Sequence, residues 1–213
     1  MAYPRAPLRR PTDAELRPGA NLARADLTGT VMPEVDLSLA RLVEADLSGA
    51  TLTRGYLTDA KLRRAILRRA DLTKVSMSKA NFVRANLTGA VLVGADMSET
   101  VLIGANLTGV DLTRADLSRA NLSGANLTGA DLSRAELWGA NLTGANLSGA
   151  TLRRTDLWGA TLTGAVLARA DLTEANLSGV AAERVDWYRA NLTDAVVFGA
   201  TGVPLEEATG PLH

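Results

Sequence analysis

The chain has 213 residues with 23 basic and 23 acidic side chains, so its formal net charge is zero. It contains no cysteine, which excludes a disulfide framework, thiol catalysis and zinc sites built on cysteine. No apolar run reaches the roughly 18 residues of a membrane span, and the start lacks the apolar core of a signal peptide. A cytoplasmic location is therefore expected.

Residues 1–19 come before any regular pattern and hold four prolines and four arginines, a composition typical of a turn-rich segment. Thr12 and Glu15 have the spacing of a capping box, which predicts one helical turn. We expect this lead-in to cover the open edge of the structure that follows, because an uncovered strand edge invites pairing with another chain. The alternative is an arm that binds a partner.

Residues 20–199 form 36 uninterrupted pentads of the pattern Ala-Asp/Asn-Leu-x-x. A five-residue period places the leucines on one face of neither an α-helix nor a flat strand. The leucines do share one face if each pentad is extended and then bends at its last two places, where glycine readily supplies a positive φ. The pattern therefore predicts a coiled ribbon with the first-place Ala and third-place Leu inside.

The runs at 120–129 and 140–149, Ala-Asn-Leu-Ser/Thr-Gly repeated, resemble pentapeptide-repeat proteins, and the similarity extends over 180 of the 213 residues. The resemblance implies an all-β fold, a right-handed four-sided parallel β-helix with four pentads per coil. It further implies about nine coils over residues 20–199, which leaves residues 200–213 as a C-terminal cap or tail. In this family the second, fourth and fifth places face outward.

Stacking of every fourth pentad predicts columns of outward side chains. An amide column at Asn86, Asn106, Asn126 and Asn146 is expected to form hydrogen bonds along its length. A basic belt on the third coil either binds phosphates or an acidic partner, or is a solvated surface partly paired with Glu44 beneath Arg64. The belt comprises Lys61, Arg63, Arg64, Arg68 and Arg69.

A column of four acids, roughly 4.8 Å apart, is the candidate protein-binding site. Either its oxygens accept hydrogen bonds from the turns, or the column presents a linear negative field. Trp138 and Trp158 are predicted to lie beside it on adjacent coils, as a contact patch or as a mutually stacked pair. The acids are Asp96, Asp116, Glu136 and Asp156.

The ninth coil departs from the pattern because Trp187 takes a place normally held by leucine. Its ring is expected to fill the interior, offset by the smaller Ala182 and Val197. Residues 203–208 could add a short helix. A terminal coil needs a cap or a partner, so this end is predicted to be either capped or a homodimer interface. The candidate residues are Trp187, Tyr188, Phe198 and Leu205.

Catalytic chemistry has little support in the sequence. The single histidine is the last residue, His213, and there is no catalytic triad, no metal-ligand spacing and no glycine-rich loop opening a helix. We therefore predict no enzyme activity, no cofactor and no metal site.

The remaining hypotheses are binding functions. The leading specific one is mimicry of DNA toward DNA gyrase or topoisomerase IV, which the resemblance to quinolone-resistance members implies. This chain departs from those members in its balanced charge and its lack of projecting loops. The alternative is a generic protein-interaction scaffold, and a third hypothesis is a nucleic-acid binder using the basic belt. The first two involve no direct contact with nucleic acid and no membrane.

Overall fold

A computed structural model describes residues 9–204 of the chain. Its one helix is a 3-10 turn at Asp13–Glu15, and the rest of this range consists of turns joined by isolated parallel β-bridges. The bridges recur at every pentad and join each pentad to the fourth one after it, from Asn21↔Arg41 to Ala181↔Thr201. One turn of the solenoid therefore takes four pentads.

The four sides of the solenoid are numbered from the pentads that begin at residues 20, 25, 30 and 35. Each side recurs at every fourth pentad, so coil one begins at residue 20, coil two at residue 40 and coil three at residue 60. No helix within residues 9–204 is long and apolar enough to span a membrane.

The interior is built from the two predicted columns. Third-place leucines such as Leu67 and Leu127 are completely buried, and so are first-place alanines such as Ala65. A single hydrophobic cluster runs from Leu22 to Val203. Because side chains two residues apart in an extended segment point the same way, the pentad places both inside at every step.

A pentad with Asp or Asn at its second place can pair every one of its backbone donors, as residues 105–109 show. In residues 105–109 all five N–H groups donate hydrogen bonds of 2.7 to 3.1 Å. The second-place N–H donates to the preceding coil, and the third- and fifth-place groups donate to the following coil. The first-place N–H closes a turn, and the fourth-place N–H of Thr108 is accepted by the side chain of Asn106. This complete pairing explains the preference for Asp or Asn at the second place.

The fifth place of every pentad has a positive φ, between 54° and 68°, whether or not it is glycine. Glycine occupies 15 of these 36 places and other residues occupy 21, of which 14 are arginine or lysine. A left-handed conformation costs a non-glycine residue about 1–2 kcal/mol. The backbone hydrogen bonds to the next coil hold the conformation in place, so the positive φ belongs to the position rather than to glycine.

The described part of the lead-in lies against the first coil. Arg9 pairs with Ala25 in a parallel bridge, and Leu16 packs against the core. The Glu15 carboxylate accepts the Thr12 N–H at 2.8 Å, so the predicted capping box is closed on that side. The hydrogen bond from Arg9 and the one from the Thr12 backbone lower the pKa of Glu15 to about 2.

Candidate protein-interaction surface

The four predicted acids form one continuous column on side 4, because consecutive members are bridged to one another across coils four to seven. Asp96, Asp116 and Asp156 are half-buried, whereas Glu136 is exposed. The solenoid therefore brings together residues that are far apart along the chain.

The aspartates of this column use an oxygen to close the turn that follows. Asp96 Oδ1 accepts the N–H and the hydroxyl of Ser98 at 3.0 and 2.7 Å. Asp156 Oδ1 accepts the N–H of Trp158 at 3.0 Å and the side-chain amide of Asn176 at 2.9 Å. The predicted role of these acids as hydrogen-bond acceptors for the turns is thus present. Their outer carboxylate oxygens stay available to a partner.

A basic ridge accompanies the acid column. Arg114, Arg134 and Arg154 each occupy the corner two residues before an acid of the column, and all three are exposed. Arg154 forms a bidentate ion pair with Glu174 on the next coil, at 2.7 and 3.0 Å. The column is therefore a line of negative charge bordered by positive charge. Sequence analysis missed this ridge, although the four-pentad spacing between Arg154 and Glu174 could have revealed the pair.

Trp138 and Trp158 lie one coil apart, as predicted, but they have different environments. The guanidinium of Arg119 lies over the Trp138 ring, 4.6 Å from its centroid, and Trp138 is half-buried. Trp158 is 57% exposed. Within residues 9–204 no ring contact joins the two tryptophans, so they are not mutually stacked. A cation over an indole face contributes about 0.5–1 kcal/mol at an exposed site.

The Asn column differs from its prediction. Asn86, Asn106, Asn126 and Asn146 accept the fourth-place N–H of their own pentads, for example Asn126 Oδ1 from Thr128 at 3.1 Å. No side-chain hydrogen bond joins these four asparagines to each other in the described range. The expectation of bonds along the column was wrong for these four residues, whose side-chain oxygens accept hydrogen bonds within their own pentads.

The C-terminal end shows a second difference. Trp187 is only half-buried, and its indole N–H donates to the carbonyl of Gly202 at 3.0 Å. The expectation that its ring fills the interior holds only in part: the ring packs against the core but stays half-buried, because the indole is larger than leucine and its N–H needs an acceptor. Val203 is buried against the core.

The other residues predicted at this end have mixed outcomes. Tyr188 and Phe198 are exposed by 57% and 63%. Leu205 and most of the predicted helix at 203–208 lie outside the described residues. The bond from Trp187 to Gly202 is a capping contact, while homodimerisation through this end stays a prediction.

The basic belt is on sides 1 and 2. Arg64 reaches Glu44 at 3.6 Å, as predicted; Arg64 is exposed and Glu44 is half-buried. Arg41, Lys61, Arg63 and Lys79 line an open depression on side 1, together with Val43, Asp59 and Asn81. Within residues 9–204 no group of His, Asp or Glu side chains could hold a metal ion.

Comparison with known sequences identifies the repeat. A family model described as pentapeptide repeats matches in eight copies, over residues 20–58, 56–89, 80–119, 120–159, 150–186 and 170–197. No curated protein sequence matches the chain. The matched family is not a catalytic one.

Several solved structures are similar to this chain. HetL, a pentapeptide repeat protein involved in heterocyst differentiation regulation in the cyanobacterium Nostoc sp. strain PCC 7120, is 34% identical, with a TM-score of 0.59. That alignment covers 83% of this chain and 89% of HetL. A pentapeptide repeat protein of the Arabidopsis thaliana thylakoid lumen is 29% identical over 49% of this chain and 73% of its own, with a TM-score of 0.47.

A third structure, QnrB1, a plasmid-mediated fluoroquinolone resistance protein, is 20% identical with a TM-score of 0.44, covering 87% of this chain and 84% of its own. At that identity and score it adds nothing about function. The repeat match and the similarity to HetL agree with the four-pentad coils and the buried leucine column described above. The chain belongs to the pentapeptide-repeat family, and its fold is the right-handed β-helix solenoid of that family.

Proposed function

We propose that this chain is a nine-coil, non-catalytic protein-binding solenoid whose contact surface is side 4 of coils four to seven. The observation that carries the proposal is the exposed indole of Trp158, next to a column of four carboxylates on a flat, regular side. A large exposed aromatic ring bordered by polar groups is typical of a protein contact, because burying it releases water from apolar surface.

Replacing both Trp138 and Trp158 by Ser is expected to abolish capture of the partner from a lysate of the source cell while the fold is retained. Serine is already the residue at this place in the same column, at Ser98, Ser118 and Ser178. The matched control is Tyr56→Ser, which removes an exposed aromatic ring from the same side, four coils before Trp138 and five before Trp158. Unchanged capture by the double variant would reject this surface.

The specific partner that we propose is a type II topoisomerase, DNA gyrase or topoisomerase IV, which would meet the acid column in place of DNA. The support is the column itself, a line of carboxylates spaced one coil apart along one side of the solenoid. The ridge of arginines beside the column weighs against this hypothesis, because its positive charge reduces the negative field of the acids.

Purified protein at micromolar concentration is expected to inhibit supercoiling by DNA gyrase or to protect the enzyme from a quinolone. Neutralising the column with Asp96→Asn, Asp116→Asn, Glu136→Gln and Asp156→Asn should remove the effect. The three asparagines can still accept the turn hydrogen bonds, as Asn106 does from Thr108 at 3.1 Å, so folding is preserved. Absence of both inhibition and protection would leave the generic scaffold as the function.

A further inference from the structure

Charge is segregated between the sides of the solenoid. Sides 1 and 2 of coils three to eight, here named the acid-free side, carry seven basic residues and no acidic residue in 60 positions. Sides 3 and 4 of the same coils carry seven basic and ten acidic residues. The acid-free side comprises residues 60–69, 80–89, 100–109, 120–129, 140–149 and 160–169.

The segregation depends on the choice between Asn and Asp at the second place. In coils three to eight this place holds seven Asn and no Asp on the acid-free side, but seven Asp, one Glu and one Asn on sides 3 and 4. The two residue types close the turn in the same way. Asn106 accepts the N–H and hydroxyl of Thr108 at 3.1 and 2.7 Å, and Asp96 accepts those of Ser98 at 3.0 and 2.7 Å.

The fold therefore does not explain the choice. Repulsion between carboxylates one coil apart does not explain the choice either, because avoiding it would require Asn and Asp to alternate along each column. Instead, four acids follow one another on side 4 while four asparagines follow one another on side 2. The difference lies between sides of the molecule, which is what a surface suited to a particular partner requires.

Six of the seven cations of the acid-free side are on coils three and four, where they lie on side 1, at the convex corner between sides 1 and 2, and at the end of side 2. All six are exposed, and Arg64 alone among them reaches a carboxylate within the described residues, Glu44 at 3.6 Å. Free guanidinium and ammonium groups are available to anionic oxygens of a partner. The six are Lys61, Arg63, Arg64, Arg68, Arg69 and Arg84, here named the cationic corner.

We propose that the acid-free side binds an extended acidic segment of a partner polypeptide. Carboxylates of the segment pair with the cationic corner. Its remaining length lies along the neutral Asn, Thr and Gly columns of coils five to seven, where side-chain amides can donate hydrogen bonds to backbone carbonyls. This surface is separate from the tryptophan-bearing side 4, so the two interactions can be tested independently.

A polypeptide fits this surface better than a nucleic acid does. The cationic corner spans two adjoining sides of a convex edge, around which a stiff duplex cannot bend without a deformation cost. A single strand could follow the edge, but the acid-free side exposes no aromatic ring on which bases could stack, since its one aromatic residue, Phe82, is buried. A flexible acidic chain has neither problem.

The test is fluorescence anisotropy with a labelled dodecaglutamate peptide and the full chain, at 20 and 200 mM NaCl. We expect binding that weakens about tenfold or more between the two salt concentrations. The variant Asn106→Asp, Asn126→Asp, Asn146→Asp should bind about tenfold more weakly, because like charges face the peptide. Arg63→Thr with Arg68→Thr, which introduces the residue common at the fourth place, should weaken binding to a similar extent.

The matched control makes the opposite change on side 3, away from the acid-free side. Asp71→Asn, Asp111→Asn and Asp131→Asn alter charge by the same amount and keep the turn bonds, and should leave peptide affinity within about twofold. The proposal is wrong if wild-type protein does not bind at 20 mM NaCl, or if the triple Asn→Asp variant melts normally and binds as wild type does. If a 20-base-pair duplex or a dT20 strand binds more tightly than the dodecaglutamate peptide, the ligand of this surface is a nucleic acid and the proposal is wrong.

Discussion

Replacement of Leu127 by Ala is expected to lower the free energy of unfolding by about 2–5 kcal/mol. Leu127 is completely buried in the side-2 column, between Leu107 one coil before and Leu147 one coil after. Truncation removes apolar contacts in both directions and leaves a cavity, and the narrow interior cannot collapse because each coil is bonded to both neighbours. The change therefore weakens two coil interfaces at once.

Chemical denaturation followed by circular dichroism measures this loss. Thr143→Ala is the control, because Thr143 is exposed and only its backbone N–H takes part in the turn bond to Asn141. Its effect should stay within about 0.5 kcal/mol. A loss at Leu127 no larger than the loss at Thr143 would contradict a core that depends on the leucine columns.

Replacement of Gly55 by Ala is expected to destabilise the protein by about 1–3 kcal/mol, although alanine is the usual residue at this place. A Cβ built on Gly55 would lie 2.9 Å from the Leu52 carbonyl oxygen and 3.0 Å from that of Val35. Val35 and Val75 occupy the same column one coil away on either side. Because the Val35 Cγ1 would also lie 3.5 Å from this Cβ, we infer that the glycine compensates for neighbours larger than alanine.

The double variant Val35→Ala, Gly55→Ala tests this explanation. The turn at Val35 is stretched, with 3.4 Å between its nitrogen and the Met32 oxygen, against 2.9 Å for the equivalent bond at Gly55. With alanine at both places the turn can close, and stability should return to within about 1 kcal/mol of wild type. Thermal melting of the single and double variants measures these stabilities. A Gly55→Ala protein as stable as wild type would show that the glycine does not compensate for Val35 and Val75.

The gross architecture could be read from the sequence because the repeat is strictly local. Every pentad makes the same turn and the same bonds to its neighbours, so Leu127 and Ala125 had to be buried once the five-residue period was recognised. The resemblance to pentapeptide-repeat proteins then supplied the coil length of four pentads. That length was enough to place Asp96, Asp116, Glu136 and Asp156 in one column and to pair Arg64 with Glu44.

Side-chain environments were less predictable, since they depend on rotamers and on residues of the neighbouring coil. Arg119 covers Trp138 from the coil before it, whereas stacking of Trp138 on Trp158 had been one expectation. Trp187 packs against the core only in part and directs its N–H to Gly202. In both cases a long or polar side chain had several sterically allowed directions, and a specific partner selected one of them.

By itself, then, the sequence determined the period, the buried columns and the order of residues along each side, because these follow from backbone geometry repeated at every pentad. Only the tertiary structure decided that Asn and Asp close the turn interchangeably, which makes their segregation a property of the surface and not of the fold. It also showed which cations are left unpaired by neighbouring coils. The physical reason is that hydrogen-bond geometry and ion pairing depend on distances across coils, and the linear order of residues does not contain those distances.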